Sequence, residues 1–94
     1  MRLQRSLSDL GDSLTRAQEE LRIVEEQLLF QNDVFEEAKT RMLVSETPIA
    51  DREYRVARDD LERLRRQRDR VNAEIGDLRR EQDRLLDRML GSRA

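Results

Sequence analysis

Apolar residues recur along this chain on two tracks. The first is Leu3, Leu7, Leu10, Leu14, Ala17, Leu21, Val24, Leu28, Gln31, Phe35, Ala38, Met42. The second is Ala50, Tyr54, Ala57, Leu61, Leu64, Arg68, Val71, Ile75, Leu78, Gln82, Leu85, Met89. Steps of three and four residues alternate along each track, as they do along a coiled-coil seam. The pattern predicts two long helices, each with one buried stripe. Between Met42 and Tyr54 the phase breaks, and Pro48 lies in the gap. Proline is poor inside a helix and well placed at its first position. Thr47 therefore reads as an N-cap and Pro48 as the first helical residue, with Asp51 and Glu53 as acids favoured near a helix N-terminus. The expected organisation is a single domain: helix over 1–44, loop over 45–47, helix over 48–90 and a disordered tail over 91–94.

A loop this short makes the helices antiparallel neighbours. Centring the pairing on the loop sets Leu14 against Leu78, Leu21 against Val71 and Leu28 against Leu64. Phe35 then faces Ala57 and Ala38 faces Tyr54, so large residues meet small ones. Flanking charges support this register where Glu25 meets Arg65, Lys39 meets Asp51 and Arg41 meets Glu53. Glu20 beside Glu74 opposes it. The expected fold is all-α, an antiparallel two-helix coiled-coil hairpin.

Helix 1 carries more apolar residues than one seam needs. Ile23, Leu29, Phe30 and Val34 gather on a neighbouring face, and Val56, Leu86 and Leu90 add to the surplus on helix 2. A lone pair of helices buries each on one side only, which is marginal for stability. Both points predict a homodimer forming a four-helix bundle around residues 23–35, with those four residues as the self-association face. Gln31, Arg68 and Gln82 interrupt the seam. Gln31 and Arg68 are candidates for setting register or oligomer state, as polar core residues can. For Arg68 the bland alternative is a guanidinium reaching nearby acids while its stem packs on Val24.

Composition narrows the chemistry. Only 36% of the residues are apolar and 43% are charged, a balance that suits solvated helices and not a globular core. A net charge of −2, from 19 basic and 21 acidic residues, gives no pull toward nucleic acid or an anionic membrane. The chain has no cysteine and no histidine, which removes thiolate chemistry, the commonest general base and the commonest metal ligand. Neither a phosphate loop nor a zinc spacing is present. Adjacent acids such as Glu19-Glu20 and Asp59-Asp60 point about 100° apart on a helix, so they read as solvated surface. The arginines between Arg63 and Arg70 spread around their helix without interleaved aromatics, unlike a nucleic-acid stripe. No enzyme, cofactor, metal or small-molecule ligand is expected. Met1-Arg2-Leu3 leads straight into the heptads without a signal-peptide core, and the apolar runs are far too short for a membrane span. The expected location is the cytoplasm.

The turn is where a specific partner would read this chain. Glu46, Asp51 and Glu53 concentrate negative charge there, and Glu53-Tyr54 followed by Ala57-Arg58 resembles the hairpin tip of bacterial Gre-type transcript-cleavage factors. That resemblance implies an acidic tip entering RNA polymerase, with Glu46 near the family's first acid and Ile49 standing where the second would be. The chain as a whole resembles short actinobacterial helical-hairpin proteins with a Ser-Glu-Thr-Pro turn followed by Ala-Asp-Arg-Glu, residues 45–48 and 50–53 here. No assigned function comes with that likeness. The leading expectation is a structural or protein-interaction module that pairs with itself. The alternatives are a transcription modulator acting on RNA polymerase and an adaptor for another helical protein.

Overall fold

A computed structural model describes residues 2–91. Two helices cover all of them but Glu46 and Thr47: α1 is Arg2–Ser45 and α2 is Pro48–Gly91. The fold is all-α, a two-helix hairpin. Of the tail expected over 91–94, Gly91 is the last residue of α2, and 92–94 lie outside the described residues. No glycine takes a positive φ, so Gly91 stays helical and does not act as a left-handed stop.

Local chemistry sets both inner ends. α1 stops at Ser45 because Glu46 turns left-handed, with φ at 50°. The Glu46 N–H donates to the Met42 carbonyl at 3.2 Å, closing the single bond of an αL cap. α2 starts on Thr47. Its Oγ1 accepts from the Ala50 N–H at 3.2 Å, while its carbonyl accepts the first helical bond from Asp51 at 3.0 Å. That is the N-cap geometry, with Pro48 at the position where a missing N–H is harmless.

Every residue of the two heptad tracks is buried or half-buried, and the nine buried apolar residues among the described residues all belong to them. Packing divides the chain into two compact units. The terminal unit comprises Met1–Leu21 and Arg70–Ala94; the turn unit is Arg22–Asp69. In the terminal unit Ala17 packs with Val71 and Ile75, flanked by Leu14, Leu21 and Leu78. α1 runs straight through Gly11. In the turn unit the buried set is Val24, Ala38, Ala50, Ala57 and Leu61. There the Phe35 ring lies against Tyr54 at 5.5 Å between centroids, so an aromatic pair forms next to the layers where large was expected to meet small.

Most ion pairs run along one helix. Arg22 pairs with Glu26 at 2.7 Å and Arg66 with Glu62 at 3.7 Å, both four apart. Arg63 with Asp60, Arg80 with Asp77 and Arg84 with Glu81 are three apart. Of the cross-helix pairs expected, Arg41 meets Glu53 at 3.4 Å. Among the described residues neither Glu25 with Arg65 nor Lys39 with Asp51 forms an ion pair. Long side chains on a solvated helix find a partner one turn away more cheaply than one on another helix. No helix in the described residues is long and apolar enough to cross a membrane.

Candidate interaction surface

The turn unit carries apolar side chains that its own seam does not use. Leu29 is 73% exposed, Phe30 71% and Ile23 44%, whereas Val34 is half-buried. They arise because α1 holds apolar residues at positions 23, 30 and 34 beside the seam residues 24, 31 and 35. One residue of offset rotates a side chain about 100° around the helix, out of the seam and onto its shoulder.

The structure gathers part of this set into a groove. Phe30 and Val34 on α1 face Val56 on α2 across a floor of Gln31, Ala38 and Ala57, enclosing a concavity of about 430 Å³. The groove exists because both floor alanines are buried and small. A larger side chain at either position would fill it. Arg41, Arg52 and Glu53 line it toward the turn, and Asp60 lines its other end. A second shallow concavity of about 500 Å³ adjoins it, lined by Glu26, Gln27, Phe30, Gln31, Asp60, Arg63 and Leu64. Leu29 and Ile23 line neither concavity, so of the four residues expected on one association face only Phe30 and Val34 meet in the groove.

Both polar seam candidates are half-buried. Gln31 Nε2 donates to the Ala57 carbonyl at 3.3 Å, tying α1 to α2 at the groove floor. That bond needs the amide in one orientation and the helices in one register, the kind of constraint a polar seam residue supplies. Arg68 donates from Nη2 to Asp69 on its own helix at 3.1 Å. Its guanidinium goes to the neighbouring aspartate and not to the glutamates of α1.

The three tip acids separate in role. Glu46 is exposed and held left-handed, Asp51 is exposed in the first turn of α2, and Glu53 pairs with Arg41. Among the described residues no three acidic side chains converge as a cation site. Sequence reasoning missed the apolar side of the tip: Leu43, Val44 and Ile49 are all strongly exposed there. The signal was present in the run Met42-Leu43-Val44, since only Met42 belongs to a track. It also missed Arg52 and Asp60 as groove residues, because polar positions off the seam have no periodic signature. Comparison with protein-family models, curated proteins and solved structures gave no match.

Proposed function

We propose that this chain is a non-enzymatic coiled-coil interaction module that self-associates, with two hairpins forming a four-helix bundle around residues 23–35. The observation that carries this reading is the groove in which exposed Phe30 meets Val34 and Val56 over Ala38 and Ala57. Clustered apolar surface on a small chain marks an interaction site. A helical face of this kind is satisfied by other helices. The open groove and the absence of histidine and cysteine support binding and not chemistry. A homodimer is the economical partner, and a different helical protein on the same face is the competing one.

The acidic-tip reading, a modulator of RNA polymerase, has less behind it. Glu53 is engaged by Arg41, and Glu46 stands between exposed Leu43, Val44 and Ile49. The test of self-association is Phe30→Glu followed by sedimentation equilibrium. Wild type is expected at twice the chain mass and the variant at the chain mass. Wild type at the chain mass at every concentration, or a variant of unchanged mass, refutes the reading.

A further inference from the structure

We infer that the groove over Ala38 and Ala57 seats a second copy of this chain in one defined geometry. A two-fold axis runs across both helices at the level of Val56, so α1 packs antiparallel on its own copy and α2 on its own copy. The inference rests on the self-association reading above and adds the symmetry and the residues that select it.

The argument begins on α2. Its groove residues Arg52, Val56 and Asp60 are four apart, in the order cation, apolar, anion. A two-fold axis through Val56 sets each Arg52 against Asp60 of the second copy and Val56 against itself. Arg52 makes no ion pair among the described residues, and half-buried Asp60, which pairs with Arg63 on its own helix, has a second carboxylate oxygen for it. Self-complementarity of this kind is what an isologous interface requires.

The same axis suits α1. Gln31 lies against Ala57, Phe35 against Tyr54 and Arg41 against Glu53, so Val56 is level with the stretch of α1 between 32 and 38. The groove residues of α1 run from Phe30 to Arg41, and their midpoint falls inside that stretch. Arg41 therefore comes over Phe30 of the second copy, a cation over an aromatic ring. Val34 comes beside Ala38, where the alanine floor leaves room. One axis thus satisfies both helices without being placed separately for each.

The alternative two-fold axis runs along the helices. It lays α1 on α2 of the second copy at equal height. Arg41, Arg52 and Glu53 line the turnward end of the groove together, so Arg41 would meet a cation and an anion side by side and gain no charge complementarity there. The axis across the helices is the one that sets cation against anion at both ends of the groove on α2.

The test is charge reversal on the full chain, read by sedimentation equilibrium at low salt. Arg52→Asp and Asp60→Arg are each expected to weaken self-association about tenfold or more. An equimolar mixture of the two variants should recover a dimer, because each variant supplies the charge that the other lacks. Surface substitutions of this type leave the helices intact, which circular dichroism checks. A covalent readout uses the absence of native cysteine: Val56→Cys should oxidise rapidly to a linked dimer, and Leu29→Cys should not. If Phe30→Glu dissociates the protein while both charge variants associate like wild type, self-association stands and this geometry falls. Faster linkage at 29 than at 56 also overturns it. A wild type that stays monomeric sinks both readings.

Discussion

In the terminal unit the seam is mostly branched and aliphatic: Val71 and Ile75 close on Ala17, and Leu14, Leu21 and Leu78 flank them. In the turn unit three of the five buried residues are alanine, and seven large apolar side chains, from Ile23 to Val56, are exposed. The heptad spacing is the same in both. What differs is how much apolar bulk lies off the seam: seven exposed large apolar side chains in the turn unit against two, Leu86 and Leu90, in the described part of the terminal unit. Bulk between helices stabilises the hairpin that owns it. Bulk outside, over an alanine floor, lines an open groove. A coiled-coil repeat alone therefore does not distinguish a self-sufficient seam from a docking face. The size of the seam residues and the identity of their immediate neighbours do.

The sharpest way to break this contrast is to hollow the terminal seam. Ile75→Ala should cost about 2–5 kcal/mol of unfolding free energy, read by urea titration. Phe30→Glu, at a concentration where the protein is monomeric, should change stability by no more than about 0.5 kcal/mol, because it removes an exposed side chain. Equal losses for the two would show that Phe30 belongs to the hairpin's own core. The next effect in size tests the turn. Thr47→Ala removes the side chain that caps α2 and should cost about 1 kcal/mol in the same titration. A loss near zero would mean that Pro48 alone sets the helix start.

The smallest effect sharpens the terminal unit, where Gly76 sits within α2. A Cβ added there meets only the Arg80 guanidinium, at 3.5 Å, the end of a flexible side chain. Gly76→Ala should therefore stabilise by up to about 1 kcal/mol through helix propensity. A destabilised variant would reveal a need for the bare backbone at that site.

Which parts were legible follows from the range of the forces. The tracks needed no structure, because a seam repeats every three and four residues whatever its partner. All of their members, including Gln31, Arg68 and Gln82, are buried or half-buried. The start of α2 was equally readable, since Thr47, Pro48 and Asp51 act on backbone groups within one turn. The end of α1 was less so. It falls at Ser45 through a left-handed Glu46, a residue type that does not announce a left-handed cap. Charge partners were poorly legible, because one turn of the same helix outcompetes the helix opposite.

The sequence by itself thus determined an all-helical hairpin, its turn and the membership of its seam, since periodicity and capping are local and geometric. The tertiary structure alone decided which off-seam residues meet. Phe30 and Val34 join Val56 across Ala38 and Ala57, while Leu29 stands apart. That outcome depends on the rotation and height of two helices at once. Those follow from how the two seams pack together, as where Gln31 reaches the Ala57 carbonyl, which no pattern along one stretch of sequence can specify.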